Sequence, residues 1–352
     1  MSRQQETAGG QDVLARRTGQ PVLAACDVRK DFLSRTRRVV QAVENASLAL
    51  YAGQATALVG ESGSGKTTVA RILAGMHTPT RGEIQFEGRT INLKSTRGMK
   101  QYLRNVQYVF QDPFSSLNPV HSVMHHLSRP LKLHGHARGA DEIAAQSQAL
   151  LERVNLTPAR QFLDKYPHQL SGGQRQRVSI ARALAVQPAV LLADEPVSML
   201  DVSIRLDVLN LLLRLKEEEG LAFLFITHDI ASARYFAEET QVMYAGQMVE
   251  GGPSDQVIRQ PKHPYTRLLC SAAPDPDRAA RQAKPGDAGE APGIPERGEP
   301  PGLVNPPTGC RFHPRCPHAL EVCRQRFPAR TDFGDGHWAR CFLYSQEEAS
   351  QI

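Results

Sequence analysis

The sequence contains no apolar run approaching the roughly 18 residues that a membrane-spanning helix requires, and its first twenty residues carry no apolar signal core. The expected location is therefore cytoplasmic. Cysteine is scarce, with six residues in all and four of them within the last 43, and in a reducing compartment such a set is not read as a disulfide framework. Charge of one sign is also lacking. Lys and Arg number 42 against 36 Asp and Glu, and only short basic clusters occur, such as residues 35–38, so no nucleic-acid partner is expected. What is present is 352 residues with 41% apolar content, enough for a substantial buried core.

One stretch dominates. Gly60-Glu61-Ser62-Gly63-Ser64-Gly65-Lys66-Thr67, with Thr68 after it, fits the pattern Gly-x4-Gly-Lys-Ser/Thr and follows an apolar run at 55–59. Strand, glycine-rich turn and helix start form a phosphate cradle, because the glycines let successive N–H groups point inward at the positive end of a helix. Lys66 is placed to reach the β- and γ-phosphates, and the Thr67 hydroxyl to hold Mg²⁺. The anion is a nucleotide's.

Along the chain, residues 1–20 are polar and expected to be disordered. Residues 22–32 and 38–50 alternate as an antiparallel pair. Phe32, at a strand end, is a candidate to stack on adenine, the alternative being a core aromatic. Segments 83–86 and 106–110 read as short strands, and Gln111 leaves the second where it can ligate Mg²⁺ or position water. From 122 to about 166 the period becomes helical, which marks an inserted helical subdomain over about 112–170. Leu170-Ser171-Gly172-Gly173-Gln174 then precedes a helix over 175–186 and offers a second anion site at a helix N-terminus. One nucleotide has one terminal phosphate, so this site is read as capping the γ-phosphate of a partner's nucleotide in a head-to-tail sandwich. The other reading is a plain helix cap. Residues 189–194 form a buried strand ending in Asp194, placed for Mg²⁺, and Glu195, placed as general base. Asp201 lies in the following loop, and His228 ends the next buried strand near the γ-phosphate.

This set resembles the ATP-binding subunits of ABC transporters over residues 22 to about 250. The resemblance implies a P-loop α/β core with an antiparallel β subdomain and the helical insert, ATP and Mg²⁺ as cofactors, and Phe32 as the adenine-stacking ring. Residues 110–119, 166–168, 242–246 and His263-Pro264-Tyr265-Thr266 are similar to the oligopeptide, dipeptide and nickel importer group. Residues 173–177 and 195–198 look like the second of its two ATPase subunits. By that resemblance the partners are transmembrane permease subunits, a second ATP-binding subunit and an extracytoplasmic solute-binding protein. The place is the cytoplasmic face of the inner membrane and the solute a peptide, with nickel, sugar or opine as alternatives. DNA-repair ATPases would need long heptads between Lys66 and Asp194, and translation factors a second cassette; this sequence has neither.

The expected division is an ATPase domain over 21–252, the start of an extension over 253–273, a linker over 274–307 with nine prolines and five glycines, and a tail over 308–345. The tail carries Cys310, Cys316, Cys323 and Cys341. Their spacing matches neither zinc nor ferredoxin patterns, and three readings stay open: a metal or iron–sulfur cluster, as in some members of the importer group, reduced structural cysteines, or disulfides. Cys26 and Cys270 read as core.

Overall fold

The computed structural model describes residues 19–34, 36–92, 96–272 and 298–345. Two long strands open the fold, β1 (Leu23–Leu33) and β2 (Val39–Leu50), followed by β3 (Ala55–Val59), β4 (Arg81–Phe86), β5 (Arg89–Thr90), β6 (Val106–Val109), β7 (Val190–Asp194), β8 (Ala222–Thr227), β9 (Glu239–Tyr244) and β10 (Gln247–Pro253). Helix α1 (Lys66–Leu73) follows β3, and α2 (Thr96–Asn105) precedes β6. The insert holds α3 (Pro113–Ser116), α4 (Val123–Leu133), α5 (Ala140–Arg153) and α6 (Arg160–Leu163). Helices α7 (Gly172–Leu184), α8 (Val202–Glu219) and α9 (Ile230–Phe236) alternate with the later strands, and α10 (Ser254–Arg259) and α11 (Pro264–Ala272) open the extension.

One twelve-stranded sheet runs β5-β4-β1-β2-β10-β9-β3-β8-β7-β6 and branches at β10 into β12 (Trp338–Ala339) and β11 (Thr331–Asp332). Strands β9, β3, β8, β7 and β6 are parallel neighbours, whereas β1, β2, β4 and β5 pair antiparallel. Every residue of β3, β7 and β8 is buried, as a parallel sheet covered on both faces demands. Val59 of β3 pairs with Thr227 of β8, and Asp194 of β7 pairs with Ile226 of β8. The carboxyl ends of the three strands therefore come level, and an open α/β sheet binds its ligand at that edge.

The apolar core divides across the sheet. One cluster joins the insert, α7, α8 and the tail; the other holds α1 against β1, β2 and β4. Among the described residues, no helix is long and apolar enough to cross a membrane.

The sequence reading differs from the structure in several places. It assigned no element to α2, and it began α7 three residues late. Cys26 and Cys270 are half-buried rather than core; Cys26 begins a bulge in β1 and packs beside Ala24, Ala49 and Tyr51. The end of the expected linker is docked: the Leu303 carbonyl accepts from Gln41 N–H at 2.9 Å, and Val304 bridges Val40 of β2. The expectations for residues 1–18 and 274–297 lie outside the described residues.

Candidate active site

The loop between β3 and α1 needs its glycines. Gly65 has φ 104°, and a Cβ there would stand 2.4 Å from the Ala42 carbonyl oxygen; one on Gly60 would stand 2.1 Å from that of Met243. Only glycine fits such close backbone approach. Ser62, Gly63, Ser64 and Thr68 complete the loop and first turn. Lys66 is buried, and its ammonium donates to the carbonyls of Gly60 at 2.7 Å and Glu61 at 2.9 Å. Burial lowers the Lys66 pKa, against the pull of Glu195, Asp194 and Glu61. A bound phosphate would restore the charge's stability.

Thr67 and Asp194 are joined across the strand ends, Oγ1 donating to Oδ1 at 3.1 Å. The other oxygen of Asp194 accepts from Tyr108 of β6 at 2.6 Å. Burial raises the Asp194 pKa while these two donors lower it. Both oxygens of Asp194 are thus held in place at the strand edge.

Glu195 adopts φ 45°, left-handed backbone that costs a non-glycine residue on the order of 1 kcal/mol. Its N–H donates to Ile226 O at 3.0 Å, and its carbonyl accepts from the Ser198 hydroxyl at 3.0 Å. Held this way, its carboxylate receives Gln111 Nε2 at 2.9 Å and lies 3.4 Å from His228 Nδ1. Lys66, Thr67, Gln111, Asp194, Glu195 and His228, from four chain segments, thus share one sheet edge.

The structure leaves other candidates apart from this group. Phe32 packs edge-on against His77 at 5.2 Å, with the Lys30 ammonium 4.9 Å from its ring centre. Asp201 is the N-cap residue of α8. Ser171 caps α7: its hydroxyl accepts from Gln174 N–H at 3.3 Å, and Gln174 Oε1 accepts from Ser171 N–H at 3.0 Å. This reciprocal box accounts for Ser and Gln as well as glycine, and it uses the two side-chain oxygens only as acceptors. A Cβ on Gly173 would stand 2.6 Å from Ile204 of α8, while Gly172 has more room.

The four tail cysteines line one small apolar cavity with His263, His313 and other residues. Cys26, Cys270, Cys310, Cys316 and Cys341 carry free thiols. Burial pushes the Cys310 thiol up to about 12 and that of Cys341 to about 11. Among the described residues, no three His, Cys, Asp or Glu side chains are arranged to hold a metal ion.

Three residues that contact the site have partners that local sequence does not show. Tyr108 looked like a strand aromatic, and its apolar neighbours hid its hydroxyl. Tyr265 receives the Glu61 N–H at 2.8 Å, and Arg315 pairs with the Glu61 carboxylate at 2.9 Å. Only long-range packing reveals those two.

Residues 43–198 match the ABC transporter family model, and residues 249–323 match that of the oligopeptide/dipeptide transporter C-terminal region. A putative oligopeptide transport ATP-binding protein of Bacillus subtilis, YkfD, is 38% identical over 94% of this chain and 98% of its own length. The dipeptide transport ATP-binding protein DppF of Escherichia coli is 39% identical, covering 94% and 97%. Among solved structures, a dimeric ATP-binding cassette in a post-hydrolysis state with ADP and phosphate superposes at TM-score 0.60 with 30% identity, over 66% of this chain and 98% of that one. A subunit of an ABC transporter complex from Clostridium perfringens gives TM-score 0.60 with 27% identity, covering 68% and 91%. Fold, strand-edge geometry and these likenesses agree, and the chain belongs to the ABC transporter ATPases, in their oligopeptide/dipeptide group.

Proposed function

We propose that this chain binds Mg²⁺-ATP on the 60–67 loop and hydrolyses it to drive import of oligo- or dipeptides through a membrane permease, from the cytoplasmic face of the inner membrane. The observation that carries the reading is the convergence of Thr67, Tyr108, Gln111 and His228 on the adjacent carboxylates Asp194 and Glu195. Asp194 and Thr67 hold Mg²⁺ with Gln111, Glu195 takes a proton from the attacking water, and His228 meets the γ-phosphate. Phe32 stacks on adenine.

Two ATPase subunits, this chain and a second, close head to tail on two ATP molecules. Each site combines the Lys66 loop of one with Ser171, Gly172, Gly173, Gln174 and Asp201 of the other. The dimeric state of a solved relative supports this arrangement, and the names of YkfD and DppF support a peptide as solute. A solute-binding protein delivers the peptide. Cys310, Cys316, Cys323 and Cys341, which line one cavity, would hold an iron–sulfur cluster, and its irons would favour the thiolate forms over the protonated thiols that burial imposes. Anaerobic purification with an absorbance spectrum and iron and sulfide analysis tests that assignment.

The test of function is reconstitution of the chain with its permease, partner ATPase and binding protein in proteoliposomes. Peptide uptake that requires ATP and is stimulated by the binding protein is expected. ATP hydrolysis with no uptake of any di- or oligopeptide overturns the solute; absence of hydrolysis overturns the activity.

A further inference from the structure

The loop from Cys310 to Cys316 carries two buried arginines, and they dock at different places. Arg311 reaches β2 and the end of β9: its guanidinium donates to Gln41 Oε1 at 2.6 Å and to Ala245 O at 2.5 Å, and lies 3.2 Å from Glu44 Oε2. Arg315 instead reaches the phosphate loop. Its Nη1 lies 3.1 and 2.9 Å from the two carboxylate oxygens of Glu61, and 3.3 Å from the Tyr244 hydroxyl. Arg315 is aimed by a turn in which its N–H and that of Cys316 both donate to Phe312 O at 3.0 Å. Phe312 is itself fixed between Tyr244, Tyr265 and His263, with ring centres 5.1 to 5.8 Å away.

Glu61 is the second residue of the loop, and its polar groups are all engaged. Its N–H donates to Tyr265 Oη, its carbonyl accepts from Lys66 Nζ, and its side chain holds Arg315. Two of these three partners come from the C-terminal extension. Arg315 is buried and Glu61 partly so, and such an ion pair is a poor stabiliser compared with apolar packing, because desolvation offsets the attraction. Its distinctive effect is to fix geometry, and the geometry fixed here is the curvature that aims the loop's N–H groups and Lys66.

Resting on the nucleotide reading of the 60–67 loop, we propose that Arg315 is a positioning residue for ATP: through Glu61 it holds the phosphate loop in its binding conformation, so the cysteine-bearing tail is a structural part of the nucleotide site. Arg311, on the same tail loop but docked on β2, contributes tail attachment without touching Glu61, which makes it the control.

The test measures affinity for trinitrophenyl-ATP with Mg²⁺, by fluorescence, on the purified full-length chain carrying Glu195→Gln so that turnover does not intervene. Arg315→Met is expected to weaken binding about tenfold, and so is Glu61→Gln; the double variant should be no weaker than either one, because each acts through the other. Arg311→Met, compared with Arg315→Met by thermal midpoint, is expected to keep affinity within about twofold at an equal or larger loss of stability. In chains retaining Glu195, Arg315→Met should raise KM for ATP more than it lowers kcat. Equal affinity in Arg315→Met and its parent overturns the proposal while leaving the function intact, as do additive losses in the double variant or a parallel loss in Arg311→Met. Failure of the parent to bind nucleotide overturns the function and the proposal together.

Discussion

Gln111 Nε2 stands 2.9 Å from Oε2 of Glu195, so the amide that leaves β6 and the carboxylate that follows β7 are already paired across the sheet edge. Strand β6 runs through Gln111 into the helical insert. Replacing Glu195 by Gln preserves the shape and removes the base. Hydrolysis is expected to fall by about 10² to 10⁴, with ATP-bound dimers accumulating on size-exclusion chromatography. Turnover undiminished in this variant removes Glu195 from the base role.

Tyr108→Phe deprives Asp194 Oδ2 of its donor. A buried carboxylate that loses one of two donors binds its proton more tightly. The concentration of Mg²⁺ needed for half-maximal ATPase activity should rise several-fold, and a titration at fixed ATP measures it. An unchanged midpoint would show that Thr67 alone holds Asp194.

Glu250 is fully buried and accepts from Lys262 N–H, His263 N–H and His337 Nε2, each at 2.8 Å. Glu250→Ala leaves those donors unpaired, at a cost of at least about 3 kcal/mol. Limited trypsin digestion of the variant should release the tail while the ATPase core persists; a digestion pattern like that of the parent would count against this anchor.

His263 supplies a pH dependence. Burial lowers its pKa to about 3, and its Nδ1 accepts from Tyr265 N–H at 3.0 Å. The folded state therefore keeps the ring neutral where an unfolded chain, with an ordinary value of about 6.5, takes up a proton. Stability falls as pH drops below about 6.5 and continues to fall towards 3, by about 1.4 kcal/mol between pH 7.5 and 5.5. His263→Asn retains an acceptor and should remove that component, which urea unfolding at the two pH values would measure.

The sequence made the strand-edge chemistry legible because short local patterns carry it. A glycine-rich turn after an apolar run, or carboxylates after a buried strand, need no distant partner to be recognised. Helix α2 sets its period with Met99, Tyr102 and Leu103 at i, i+3 and i+4, a single short apolar face within ten mostly polar residues that is legible but easily passed over. Ser171 and Gln174 were read as phosphate contacts where the fold first uses them on each other. The tail contacts were illegible for another reason: Arg315 and Glu61 are 254 residues apart, and neither residue's neighbours hint at the other.

That separation also has a consequence in time. Gln41 and Glu61 are made well before Leu303, Arg311 and Arg315, which complete their hydrogen bonds from 254 to 270 residues further along the chain. Domains fold as they are synthesised, and contacts between distant segments close last. The outer support of the 60–67 loop therefore closes long after the loop itself is made, and a chain that stops short of Arg315 carries the loop without that ion pair.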